Sequence, residues 1–100
     1  MHWKSYDEAV EVIERRFQFF PQTFRWRGRR YEVEAVERSW TAARPTSRRY
    51  FRAQCAAGLF DLYQDLTAST WHLQRVRWAT EPAQSLWAVV KRWRYPLGGV

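Results

Sequence analysis

Apolar and polar residues alternate with a period of two over most of the first 78 residues, and this pattern predicts β-strands. The pattern is clearest around Arg27-Gly28, where aromatic residues occupy alternate positions on both sides. We interpret this stretch as a β-hairpin with Arg27-Gly28 at its tip, because a two-residue turn needs the positive φ that glycine adopts readily. The predicted opposing pairs are Trp26 with Arg29, Arg25 with Arg30 and Phe24 with Tyr31. Opposed residues share a face, so one face of the hairpin is aromatic and the other is mostly basic.

Three more alternating segments follow the hairpin, which itself extends from about residue 23 to about residue 40. They cover residues 48–55, 59–63 and 70–78, and short turn-like segments separate them. The second arm of the hairpin changes phase at Ala35-Val36, which predicts a bulge or a bend. Closely spaced strands are typical of an antiparallel meander that curls into a barrel. We expect a mainly β fold with about five strands in a small, curved antiparallel sheet or half-open barrel.

Residues 5–20 carry signals for both a helix and a strand. The capping-box spacing of Ser5 and Glu8, followed by apolar residues at helical spacing, indicates a helix. Against this, β-branched side chains are concentrated in residues 10–13, which favours a strand. Taken alone, these signals nearly balance. Pro21 ends either element, because proline neither continues a helix nor donates to a strand ladder.

The C-terminal part differs in kind and predicts one helix over residues 82–93. Pro82 provides a first-turn proline after a capping threonine, and apolar residues then recur at helical spacing up to Trp93. We expect this helix to cover an open side of the sheet, and residues 95–100 to form a frayed tail. Trp87 lies at the margin of its apolar face. Trp87 and Trp93 therefore either cap the barrel or form the interface of a homodimer.

The chain of 100 residues allows one domain, with a β part over about residues 9–78 and the helix packed on it. Its 46% apolar content and 18% aromatic content suffice for a core without disulfide bonds. Cys55 is the single cysteine, which is typical of a reducing compartment. The sequence has neither an apolar run of about 18 residues nor an apolar signal segment near its charged start. We therefore predict a cytoplasmic protein with no membrane partner.

The net charge of +7 comes mainly from arginine, since only two of the 17 basic residues are lysines. One explanation is that a GC-rich genome favours arginine and that positive charge aids solubility. The other is that arginine binds phosphate bidentately and stacks on bases, so that the charge serves a polyanionic partner. Composition does not separate these two explanations.

The sequence shows no catalytic or metal-binding pattern. His72 lies between two apolar positions, so alternation places it on the opposite, solvated face, and no second central histidine accompanies it. Cys55 shares its face with apolar residues and is expected to be a buried thiol. One cysteine and two histidines do not make a usual zinc site, and there is no phosphate-binding glycine loop. We predict a protein without enzymatic activity, metal or cofactor.

Two motifs together form a longer pattern over about residues 9–78. They are the hairpin Trp26-Arg27-Gly28-Arg29-x-Tyr31-x-Val33 and the later strand Trp71-x-Leu73-x-x-Val76. In this pattern the chain resembles a family of small bacterial domains of unknown function. It is also similar to a segment at the C-terminus of some proteins related to Y-family DNA polymerases. The family pattern begins with a Val-x-Val strand, which Val10-Glu11-Val12 matches, so the resemblance favours a strand over residues 9–20. It implies a compact β domain of a bacterial protein, with a hint of DNA repair.

A basic surface with interleaved aromatic residues is the remaining candidate site. Arginines crowd the hairpin, and the segment 48–55 carries more of them. Paired strands would therefore bring one group of side chains onto a shared outer face: Arg25, Arg30, Arg52 and Tyr50. The predicted nucleic-acid-binding residues are Arg25, Arg27, Arg29, Arg30, Arg49, Tyr50 and Arg52. In the alternative, these arginines only pair with acidic residues across the ladder and keep the surface solvated. Those acidic residues are Glu32, Glu34 and Glu37.

These observations predict a non-enzymatic binding module whose first candidate ligand is nucleic acid, single-stranded or duplex. The alternative function is protein–protein interaction or oligomerisation through the C-terminal helix.

Overall fold

Strands with one apolar face bury that face most completely when the sheet closes on itself, and the protein has this architecture. The computed structural model describes residues 2–17 and 19–79, which form six antiparallel strands in a closed barrel. The strands are β1 (Trp3–Arg16), β2 (Phe20–Trp26), β3 (Arg29–Ala42), β4 (Arg48–Cys55), β5 (Gly58–Asp65) and β6 (Thr70–Trp78). Each strand pairs with its neighbours in chain order, and β1 closes the barrel by pairing with β6.

The long strand β1 pairs with two different neighbours along its length. Its first part, from Trp3 to Val10, pairs with β6, and its second part, from Glu11 to Arg16, pairs with β2. A bulge at Asp7, whose φ is +56°, bends the strand so that it can leave one partner for the other. The strand prediction for this segment is therefore confirmed up to Arg16, where a turn follows.

The predicted hairpin at Arg27-Gly28 is confirmed. The φ angles of the two turn residues are +53° and +73°, as expected for a tight hairpin whose twist matches that of its strands. The observed register is the predicted one, with Trp26 opposite Arg29, Arg25 opposite Arg30 and Phe24 opposite Tyr31. The bulge predicted at Ala35-Val36 is also confirmed, since the register of β3 against β4 shifts on both sides of these residues.

The inner face of the barrel carries the aromatic half of the hairpin together with apolar residues of β4, β5 and β6. The ring of Phe24 stacks on Tyr31 with 5.2 Å between centroids and meets the ring of Phe60 at 5.5 Å. Burying side chains of this size stabilises the fold by about 1.5–3 kcal/mol each, so this cluster is the main source of stability. The buried cluster consists of Phe24, Trp26, Tyr31, Ala53, Cys55, Phe60, Leu62, Leu73 and Val76.

The strands alternate in direction, so their connections lie at two ends of the barrel. The connections after β1, β3 and β5 define the Phe17 end, which comprises Phe17, Phe19, residues 43–47, residues 66–69 and the adjoining strand ends. The connections after β2 and β4 define the Gly28 end, which holds the hairpin tip. The arginines of the described residues form groups near these two ends and on the wall between them.

The predicted fold class is correct as a small antiparallel β structure, but the half-open sheet of about five strands is wrong. The barrel is closed and has six strands. Periodicity describes each strand but not its partner, and the bulge in β1 weakened the signal of that strand. The predicted helix over residues 82–93, the tail at 95–100 and the interface residues Trp87 and Trp93 lie outside the described residues.

Over residues 2–17 and 19–79, no helix is both long and apolar enough to cross a membrane.

Gly58 begins β5 with a φ of +148°, and a Cβ added there would collide with the backbone carbonyl oxygen of Arg77. We predict that Gly58→Ala lowers the free energy of unfolding by about 3 kcal/mol, because backbone atoms of β6 cannot move aside without disturbing the ladder. Gly28→Ala is the matched control. The space around Gly28 is open and only its φ of +73° is unfavourable, so a loss of about 1 kcal/mol is expected. Urea unfolding followed by circular dichroism measures both, and equal losses would contradict the steric role of Gly58.

Candidate nucleic-acid interface

The predicted basic surface is divided among three places on the barrel. The hairpin arginines lie near the Gly28 end, Tyr50 and Arg52 lie on the outer wall, and Arg49 adjoins the Phe17 end. The expectation of one shared outer face is wrong because β3 pairs with β2 only near its start and with β4 further along. Arg30 and Arg38, the residue opposite Arg52, are eight positions apart in β3, which is roughly 26 Å along the strand.

Three of the four hairpin arginines are paired with glutamates of β1. Arg25 lies 3.5 Å from Glu11, and Arg30 lies 3.5 Å from Glu14, in both cases between a guanidinium nitrogen and a carboxylate oxygen. The expected partners were acidic residues of β3, so the partner strand was predicted wrongly. Arg29 has no carboxylate within ion-pair distance in the part of the chain that the structure describes.

Arg27 is the most firmly held of the hairpin arginines. Its Nε donates to Glu8 Oε1 at 2.9 Å, and the guanidinium lies over the rings of Tyr6 and Trp26 at 5.2 and 4.9 Å. Trp26 Nε1 donates to the same carboxylate oxygen at 2.9 Å. The hydrogen bonds from Arg27 and then from Trp26 lower the pKa of Glu8, and the bond to Glu8 raises the pKa of Arg27. Arg27 therefore joins β1 to the hairpin at the Gly28 end.

Arg52 is held on the outer wall by a buried carboxylate. The pairing of β4, β5 and β6 places Arg52, Asp61 and Arg75 side by side, and Asp61 is fully buried. Arg52 Nε and Arg75 Nε donate to the two carboxylate oxygens of Asp61 at 2.9 and 2.8 Å. The ring of Trp3 lies over both guanidinium groups, at 4.8 and 4.4 Å. This cluster covers the buried carboxylate on the outer wall, so the Arg52 guanidinium is already engaged by a protein side chain.

Tyr50 belongs to a row of rings that crosses four strands on the same outer wall. The ring centroids of Trp40 and Tyr50 are 5.2 Å apart, those of Tyr50 and Tyr63 5.3 Å, and those of Tyr63 and His72 4.8 Å. The Arg48 guanidinium lies 4.3 Å from the Tyr63 ring and covers it. Tyr50 is only 9% exposed and Tyr63 only 4%. These tyrosine faces are already occupied, so the row is not an open platform for bases.

The Phe17 end carries the most exposed large apolar side chain of the described residues. Phe17 is 83% exposed and has a φ of +56°. The two aromatic residues that follow, Phe19 and Phe20, instead pack on Phe51 of β4, with centroids 5.5 and 5.8 Å apart. The turn after β1 thus leans across the end of the barrel towards β4 while the Phe17 ring projects from it.

Five arginines adjoin the connections at this end, and they differ from those on the wall and the hairpin. None of the five has a carboxylate oxygen within 4.0 Å among residues 2–17 and 19–79. The Arg49 guanidinium lies 4.5 Å from the ring of Phe19, which ties β4 to the turn after β1. The five are Arg15, Arg16, Arg44, Arg48 and Arg49.

The other two connections at the Phe17 end are joined to each other. The backbone N–H of Leu66 donates to the carbonyl of Ser47 at 2.9 Å. Asp65 directs its Oδ1 to the backbone N–H groups of Thr67 and Ala68, at 2.9 and 3.0 Å. The bond from Ala68 and then that from Thr67 lower the pKa of Asp65. Asp65 also lies opposite Arg48 in the pairing of β4 with β5, and the charge of Arg48 adds to the lowering of its pKa. The acidic side chain is therefore engaged in its own turn and with Arg48, and the end as a whole is basic.

Sequence reasoning found Arg49 and missed most of this surface. The sequence pattern placed Arg15, Arg16 and Phe17 within a strand. The basic pair followed by an aromatic residue and later by Pro21 is nevertheless a local signal for a turn with exposed side chains. Arg44 and Arg48 were assigned to a loop and to a strand start, and neither position reveals which connections meet at one end. That information lies in the direction and order of the strands.

The other residues considered for catalysis or metal binding, Cys55 and His72, do not form such a site within the described part of the chain. Cys55 is buried in the barrel, where loss of solvation, and then the nearby Glu34, raise the pKa of its thiol to about 12. The described residues contain no group of three or more histidine, cysteine, aspartate or glutamate side chains placed to hold a metal ion. His72 lies on the outer face as expected, stacked on Tyr63.

In comparisons with known proteins, no family model, no curated protein and no solved structure matches this chain.

The Asp61 cluster generates a stability prediction. Asp61→Ala leaves Arg52 and Arg75 facing each other without a counter-charge, and we expect it to lower the free energy of unfolding by about 3 kcal/mol. Glu11→Ala removes the carboxylate partner of Arg25 at an exposed position of the same barrel, so its expected cost is below about 0.5 kcal/mol. Urea unfolding compares the two variants. Similar small losses would show that the Asp61 carboxylate does not hold the wall.

The Glu8 contacts generate a pH prediction. The pKa of Glu8 is lowered in the folded protein, so the ionised carboxylate contributes stability above its usual pKa of 4.5, and this contribution is lost as the pH falls through the lower folded value. Glu8→Gln should therefore reduce Tm at pH 7, and the difference from wild type should shrink in acid below about pH 4.5. Thermal unfolding across this pH range measures the difference. A difference that stays constant with pH would contradict an ionic role for Glu8.

Proposed function

We propose that the protein is a non-enzymatic binding module that contacts nucleic acid through the Phe17 end of its barrel. The observation that carries this proposal is the exposed ring of Phe17 at the same end of the barrel as five arginines without a carboxylate partner in the described residues. Guanidinium groups without a carboxylate partner and an exposed ring match the two chemical parts of a nucleotide, phosphate and base.

The distribution of charge supports this end over the hairpin. An arginine that is already paired with a carboxylate must lose that partner, or share it, before it binds a phosphate. Arg25, Arg27 and Arg30 are paired with β1 glutamates, and Arg52 is bonded to a buried aspartate. The arginines of the Phe17 end bring no such cost, so the binding of phosphates there releases counterions without breaking an ion pair.

The arrangement of the aromatic residues supports the same end. Bases stack on aromatic side chains whose ring faces are accessible, and such stacking tolerates any sequence because every base has a π-face. Trp40 and Tyr50 are stacked on each other, with an angle of 3° between their rings, whereas the side chain of Phe17 is largely open to solvent. A nucleic acid held by the arginines of this end therefore has an aromatic ring available next to it.

The test is a comparison of two triple variants that remove the same amount of charge. Arg15→Ala/Arg16→Ala/Arg44→Ala changes exposed residues of the Phe17 end, and Arg25→Ala/Arg29→Ala/Arg30→Ala changes exposed residues of the hairpin. Fluorescence anisotropy of a labelled oligonucleotide at about 50 mM and about 200 mM salt gives the affinity and its salt dependence.

The first triple variant should weaken binding about tenfold and reduce the slope of log affinity against log salt by about 2, which corresponds to three lost phosphate contacts. The hairpin triple should weaken binding by less than about threefold, because two of its arginines are already paired with glutamates. A larger loss in the hairpin triple would assign the interface to the hairpin, as the sequence predicted. Absence of binding by the wild type at low salt would contradict the proposed function altogether.

A further inference from the structure

We infer that the ligand of the Phe17 end is a short single strand of about five nucleotides, with one unpaired base stacked on the ring of Phe17. This inference rests on the proposed function and specifies which form of nucleic acid the site takes. Three observations lead to this conclusion. They are the exposure of one ring, the position of that ring on a turn at the end of the barrel, and the number of arginines at this end that have no carboxylate partner.

The exposed ring favours an unpaired base. Phe17 is 83% exposed, so a base can approach its face without displacing a protein side chain. In a duplex both faces of each base are already stacked on neighbouring pairs, and a side chain reaches them only by unstacking a step. An unpaired base offers its face without that cost. A single aromatic ring of this kind therefore discriminates in favour of single strands.

The shape of the site favours a flexible ligand. Phe17 projects from the turn after β1, with Arg15 and Arg16 before it in the chain, while Arg44 and Arg49 belong to the neighbouring β3–β4 region. A single strand can bend around a projecting ring and place phosphates on both sides of it. A duplex is stiff, with a persistence length of about 150 base pairs, so only a few of its phosphates would contact the arginines around such a projection.

The number of arginines sets the length of the ligand. Arg48 is already engaged, because it donates to Thr46 Oγ1 and to the Tyr50 hydroxyl at 3.3 Å each. Four arginines remain for phosphates, namely Arg15, Arg16, Arg44 and Arg49. Each guanidinium pairs with one phosphate at most in a bidentate contact, and about four internucleotide phosphates join about five nucleotides. The corresponding footprint is about five nucleotides, which lies within the range that small single-strand-binding barrels cover. Longer strands should keep the same affinity per register and gain affinity per molecule only through their larger number of registers.

An anionic membrane also combines negative charge with an apolar region, but the described surface fits it less well. Phe17 is the one large apolar side chain with more than half of its surface exposed among residues 2–17 and 19–79, whereas Ile13 and Leu66 are each 38% exposed. Stable attachment to a bilayer needs a larger apolar area or a second anchoring signal. Vesicles are therefore included in the test as the competing ligand.

The experiment measures anisotropy with the full chain and three labelled probes: a single strand of about five nucleotides, a single strand of about 15 nucleotides and a blunt duplex of the longer sequence. We expect the longer single strand to bind about tenfold more tightly per molecule than the shorter one, because it offers about eleven registers to a site of about five nucleotides. It should also bind at least about tenfold more tightly than the duplex of the same length. Phe17→Ala should weaken single-strand binding about tenfold, and Phe17→Trp should retain it, because stacking needs a ring. Leu66→Ala is the control at the same end and should bind like the wild type. Thermal unfolding should give the wild-type Tm for the Phe17 variants, because this side chain is 83% exposed.

Equal affinities for single strand and duplex, both reduced by the Arg15→Ala/Arg16→Ala/Arg44→Ala variant, would overturn this inference and leave the proposed function in place. Full affinity in Phe17→Leu would overturn the stacking contact, since leucine keeps the apolar character without the ring. Sedimentation with phosphatidylserine vesicles, lost in Phe17→Ala and accompanied by no oligonucleotide binding, would overturn both this inference and the proposed function.

Discussion

The closure of the barrel by β1 is the constraint on which the rest of the structure depends. This strand must pair with β6 along its first part and with β2 along its second part, so it needs the bulge at Asp7 and a register shift near Val12. Once both pairs are formed, the sheet closes into a barrel, and the apolar faces of the strands meet inside. The hairpin, the outer wall and the two ends of the barrel are then arranged around one aromatic core.

The same strand decides which arginines are neutralised. The glutamates Glu8, Glu11 and Glu14 recur every three residues, a spacing that alternation would send to opposite faces. The irregular register of β1 brings them all within reach of the hairpin, where each meets an arginine. Each of these exposed ion pairs adds little stability. Together they leave the hairpin with fewer unpaired arginines than the Phe17 end. Charge of the opposite sign is scarce at the Phe17 end, so the basic excess is concentrated there.

Local features of the sequence were sufficient to predict the strands and turns, but not which strands pair with each other. The hairpin at Arg27-Gly28 and the bulge at Ala35-Val36 could be predicted because turn chemistry and phase changes involve adjacent residues. The closing pair of β1 with β6 joins residues more than sixty positions apart, and no short-range pattern encodes it. Asp61 is an example for the site: it occupies an outward position of β5, where exposure is the ordinary expectation, yet two arginines and Trp3 bury it. Its burial depends on residues of four strands at once, and the surface at the Phe17 end likewise combines residues of several strands.

The conformation of Phe17 adds a physical reason to regard it as functional. A residue other than glycine at a φ of +56° costs about 1 kcal/mol or more, and exposing most of a phenylalanine ring to water forgoes the gain that Phe19 and Phe20 obtain by packing on Phe51. Asparagine or glycine would fit this turn with less strain and better solubility. A bound base that stacks on the ring would bury it and offset both costs, which the isolated fold does not do.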